Sequence, residues 1–141
     1  MSSTVRAFLV VAAVIAATCA VLLLTTESFC KLDAQSRFAS SSAAYVATVE
    51  NASCFLPNEL RTTILLSGKN KSLYNGESPL VFVATPADML NEPSTIAVPV
   101  RVEWFGDNEL HIVYPKGTKV RSRVSSVNNI NIVFTEAAAA P

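Results

Sequence analysis

Ala7 to Thr26 is a run of twenty residues without a charge, a proline or a glycine. It constrains this chain more than any other feature. Twenty helical residues rise about 30 Å, the thickness of the hydrocarbon core of a bilayer. Phe8, Leu9, Val10, Val11, Val14, Ile15, Val21, Leu22, Leu23 and Leu24 cover the whole circumference of such a helix. A helix packed on a soluble core keeps one polar face instead. Arg6 precedes the run and Glu27 follows it. The run therefore reads as a single-pass anchor over residues 7–26, with Phe8, Leu9, Val14, Ile15, Leu22, Leu23 and Leu24 in contact with lipid. Residues 1–6 read as a short cytoplasmic stub.

A cleaved signal peptide is the rival reading. Its apolar region runs about 7–15 residues and ends at small residues. Thr18-Cys19-Ala20 imitates such a site, but Val21-Leu22-Leu23-Leu24 follows and is still membrane-like. The same continuation, and Thr18 where a smaller residue is needed, argue against lipidation of Cys19. Arg6-Ala7-Phe8 has the look of a pilin-type processing site. Such a start requires a Glu early in the apolar run, and position 12 is Ala.

Composition follows this division. Half the residues are apolar and 16% are charged, below the usual quarter, and the excess is concentrated in the anchor. Net charge is zero, so no bulk field points toward nucleic acid. The partners expected are the lipid bilayer, through residues 7–26, and a membrane-protein complex.

Orientation rests on a sparse charge count, with Arg6 on one side and Lys31 and Arg37 on the other. Cys30 and Cys54 lie outside the anchor. A disulfide between them would call for an oxidising compartment; two unpaired structural cysteines are the alternative. The expected location is the cytoplasmic (inner) membrane, with the domain on the periplasmic or extracellular side.

Beyond the anchor, residues 27–43 are polar and Ser-rich and read as a tether. Residues 44–135 read as a β-rich domain. Tyr45-Val46-Ala47-Thr48-Val49 is β-branched and aromatic. Arg61 to Ser67 is a second strand, closed by Gly68. Leu80 to Thr85 is a continuous apolar run suited to burial on both faces, stopped by Pro86. Val98, Val100, Val102 and Trp104 alternate with Pro99, Arg101 and Glu103. Turn residues Gly106-Asp107-Asn108 follow, then Leu110, Ile112 and Tyr114 alternate with Glu109, His111 and Val113. The two strands form a hairpin. Pro115-Lys116-Gly117 makes the next turn. Thr118 to Val124 is a strand with Lys119, Arg121 and Arg123 on one face. Ile130, Ile132 and Phe134 mark the last strand, and residues 136–141 read as a disordered tail. The expected fold is mainly β: a transmembrane helix followed by a small antiparallel β-sandwich or open barrel.

The segment Val102 to Phe134 resembles a group of small, membrane-anchored bacterial proteins of unknown function. The residues that carry the resemblance are Trp104, Asp107-Asn108, Leu110-x-Ile112-x-Tyr114, Pro115-Lys116-Gly117, Lys119-Val120-Arg121 and Ile130-x-Ile132-x-Phe134. Tyr45-Val46-Ala47, with Cys54 behind it, is similar too. The resemblance implies a location and a fold, and no activity.

Chemistry-bearing residues are sparse. His111 is the only histidine, without a second His nearby for metal binding or a triad, and reads as a surface residue. No G-x-S-x-G occurs. No catalytic residue, metal ligand or cofactor site is expected, and the chain does not read as an enzyme. Trp104 and Tyr114 read as core rather than as a ligand platform. Asn51-Ala52-Ser53 and Asn70-Lys71-Ser72 match the glycosylation sequon.

The one charge asymmetry is Lys116, Lys119, Arg121 and Arg123, since no acid lies between Leu110 and Thr135. Such a basic stripe suits anionic headgroups, at about 1 kcal/mol per residue near a charged surface. A guarded edge strand or a plainly solvated face is the more ordinary reading of such a stripe. The functional expectation is a non-enzymatic domain that binds or scaffolds at the membrane surface. The alternative is a ligand-binding or sensing module with a pocket in the sandwich.

Overall fold

The computed structural model describes residues 11–12, 14–15, 30–55, 58–69, 78–86 and 97–138. By internal contacts the chain divides into two compact units, Met1–Cys30 and Lys31–Pro141. In the first, the described residues Val11, Ala12, Val14 and Ile15 are helical. Most of the expected anchor, 7–26, lies outside the described residues, as does residue 70. Among the described residues no helix is long and apolar enough to cross a membrane.

The second unit is a two-sheet β-sandwich. Its strands are β1 (Cys30–Ala39), β2 (Tyr45–Phe55), β3 (Asn58–Gly68), β4 (Leu80–Thr85), β5 (Arg101–Phe105), β6 (Glu109–Pro115), β7 (Lys119–Arg123), β8 (Ser126–Val127) and β9 (Ile130–Ala137). One sheet has the order β1-β2-β3-β4-β7 and the other β5-β6-β9-β8.

The inward-facing residues follow from the period of two. Ala47 and Val49 of β2 are opposite Leu66 and Ile64 of β3, and all four are buried. Leu110, Ile112 and Tyr114 of β6 and Ile130 and Ile132 of β9 form the facing layer. Phe82 joins the layers, with its ring 5.3 Å from Tyr114 and 5.8 Å from Phe134. Val81 to Thr85 are all buried, so β4 is covered on both faces, as its unbroken apolar run requires.

Three expectations are corrected. The tether expected over 27–43 contains a strand: β1 occupies Cys30–Ala39 and forms the edge of the larger sheet. It carries no alternating apolar pattern because nearly all its residues are exposed. The tail expected from residue 136 begins later, since Glu136 and Ala137 belong to β9, opposite Tyr114 and Pro115. The sheets are not wholly antiparallel, because β6 and β9 run parallel. Parallel neighbours need a crossover of about a dozen residues or more. Here β7 supplies it by leaving for the other sheet and returning through β8.

The two sheets are clasped at one end by their turns. The Ser42 N–H donates to the Asp107 carboxylate at 2.9 Å, and the Ser41 N–H to the Gly106 carbonyl at 3.4 Å. Gly106 has a φ of 70°, a conformation costly for a residue with a Cβ. Nearby, the Trp104 indole N–H donates to the Phe38 carbonyl at 2.9 Å.

Candidate functional site

The opposite end of the sandwich gathers most of the residues singled out from sequence. There β1 begins at Cys30, β2 ends at Phe55, and the turn from β6 to β7 passes through Lys116 and Gly117. Cys30 and Cys54 are both disulfide-bonded. The chain has three cysteines, so two bonded ones can only be bonded to each other. The bond fastens the start of the edge strand to its neighbour.

Phe55, next to Cys54, is 80% exposed. At the same end of the second sheet, Pro99, Val100, Pro115, Ala137 and Ala138 frame an open, mostly apolar depression of about 360 Å³.

The basic residues are divided by a bulge. Lys119 is opposite Thr85 and Val120 opposite Ala84, but Ser122 is opposite Val83 and Arg123 opposite Phe82. Arg121 is the extra residue, and an extra residue reverses which face the following side chains take. Lys119 and Arg123 therefore lie on opposite faces, and the single stripe expected over Lys119, Arg121 and Arg123 is broken. Arg121 is ion-paired with Glu59, which also pairs with Arg61 at 3.2 Å. The Glu59 side chain is 14% exposed. The Arg61 Nε is buried without a hydrogen-bond partner among the described residues. Lys116 and Lys119 stay at the end where β1 begins, while Arg123 lies toward the clasped end.

No family model matches the chain, and no curated protein or solved structure does.

His111 has partners on its own face of the sheet. Its ring nitrogen lies 2.6 Å from Glu109, and its ring 4.3 Å from Phe105. Glu103 and Val133 are opposite it on the neighbouring strands. The signal was available, since residues two apart on a strand share a face. No hydroxyl stands at the positions directly opposite His111. Among the described residues no group of three or more His, Cys, Asp or Glu could hold a metal ion.

Tyr114 is buried, whereas Trp104 is half-buried and stacks on Tyr45 at 6.4 Å. Asn51 faces inward, where its side-chain carbonyl accepts the Thr62 hydroxyl at 2.8 Å. A second depression of about 360 Å³ lies on the outer face of β1, β2 and β3, lined by Gln35, Arg37, Thr48, Glu50, Leu65 and Ser67 among others.

Proposed function

We propose that this chain is a single-pass membrane protein whose exported β-sandwich binds or scaffolds at the membrane surface without an enzymatic activity. One observation carries the reading. A disulfide joins Cys30 to Cys54, and Cys30 follows closely on the uncharged run Ala7 to Thr26. Disulfides persist in oxidising compartments, and a run of that length and polarity suits a bilayer. Together they support an anchor with its domain on the outer side.

The scaffolding role is tested by affinity capture of the tagged full-length chain from detergent-solubilised membranes. Recovery of a membrane protein in fixed stoichiometry supports it, and recovery of the chain alone counts against it. A ligand-binding module is the second reading, favoured by the depression beside Gln35, Arg37 and Glu50. That reading requires a saturable small-molecule signal that Arg37→Ala abolishes.

A further inference from the structure

We propose that the end of the sandwich carrying Phe55, Lys116 and Lys119 docks onto the surface of an anionic lipid bilayer, the one that holds residues 7–26. The inference rests on the anchored reading above and adds which surface of the domain meets the membrane.

Chain length supplies the first argument. Only residues 27–29 separate the apolar run from Cys30, where β1 begins. An extended residue spans at most about 3.3–3.6 Å, so three residues make a linker of about 11 Å at most. The disulfide holds Cys54 to Cys30, and Phe55 is the next residue. A short linker and a covalent bridge are thus all that separate the apolar run from this exposed ring.

Chemistry supplies the second argument. Aromatic side chains are enriched at membrane–water interfaces, and Phe55 is the most exposed large apolar side chain among the described residues. A separate depression framed by Pro99, Val100, Arg101, Pro115 and Ala137 adds apolar surface at the same end of the second sheet. Charge supplies the third. Lys31, Lys116 and Lys119 stand here with Asp33, Glu59 and Glu136 as nearby carboxylates; Asp33 accepts the Ser53 hydroxyl at 2.7 Å, and Glu59 pairs with Arg61 and Arg121. An exposed apolar side chain with lysines at the same end of the domain suits a surface rich in anionic headgroups.

The test uses the full chain in vesicles of phosphatidylcholine and phosphatidylglycerol, with or without bromine on the acyl chains. Bromine quenches a nearby indole. The chain has one tryptophan, Trp104, which lies toward the clasped end and serves as a distant reference. Phe55→Trp is made with Trp104→Phe, and also with Trp104 retained in case the double variant fails to fold. The expected result is loss of most of the new indole's emission in brominated vesicles, with wild-type emission nearly unchanged. Lys116→Glu with Lys119→Glu should reverse much of that loss. Equal quenching of the Phe55→Trp variant and wild type, in protein that resists alkaline carbonate extraction, overturns the docking surface and leaves the anchor standing. Undiminished quenching after both lysine reversals overturns the anionic part of the proposal. Release of the chain by carbonate overturns anchor and docking surface together.

Discussion

The ring of Phe82 lies 5.3 Å from that of Tyr114, and this contact joins β4 of one sheet to β6 of the other. Phe82 is fully buried and also stacks on Phe134 at 5.8 Å. Its removal leaves a void that neighbours on two different sheets cannot readily fill. Phe82→Ala is expected to cost about 3–5 kcal/mol, measured by urea unfolding of the full chain in detergent. A cost below that of an ordinary surface substitution would mean that the sheets are not packed through this ring.

The clasp at Asp107 is expected to respond to pH. The Ser42 N–H, with the Ser40 and Ser42 side chains, holds its carboxyl below the ordinary aspartate range. A carboxylate whose pKa is depressed by folding stabilises the fold above its unfolded pKa. That contribution is lost as pH falls through the folded value. Asp107→Asn should therefore lower the Tm at neutral pH, with the gap to wild type closing in acid. A gap independent of pH would rule out the charge as its source.

The elements of the sandwich differ in how readable they are from sequence. Leu80 to Thr85 announces β4 through an unbroken apolar run, and its neighbours cover both faces. Leu110, Ile112 and Tyr114 announce β6 through strict alternation, and all three are buried. β1 sends no such signal, because an exposed edge strand has no apolar face to encode. The parallel pairing of β6 with β9 is equally silent, since it depends on β7 joining the other sheet. The bulge at Arg121 is a register property of two strands and leaves no mark in either. For that reason Lys116, Lys119, Arg121 and Arg123 read as one group in sequence and separate in space. Glu59, the residue that engages Arg121, lies sixty-two positions away and could not be matched to it beforehand.

The disulfide closes a loop of about two dozen residues containing all of β1, and closing such a loop typically stabilises by about 2–4 kcal/mol. Cys30→Ala with Cys54→Ala should lower unfolding stability by that amount. It should also expose the β1 amides to hydrogen exchange before those of β3. Uniform exchange across the sheet would mean that the bond does not hold β1 in particular.

Glu59 serves two guanidinium groups from a largely buried position. Glu59→Gln removes the charge and weakens both contacts, for an expected loss of about 1–3 kcal/mol. Arg121→Ala should cost less, because that side chain is half exposed and solvent screens it. Chemical denaturation of both variants decides the order, and a larger cost at Arg121 would place the weight of the contact elsewhere.

Alkaline phosphatase folds to an active enzyme only where its disulfides form. Fused after Pro141 and expressed in a Gram-negative bacterium, it reports the side of the membrane and the attachment of the domain in one assay of the carbonate-washed membrane pellet. An anchored, exported sandwich gives active phosphatase that remains in the pellet. Inactive phosphatase, or active phosphatase released into the soluble fraction, contradicts it.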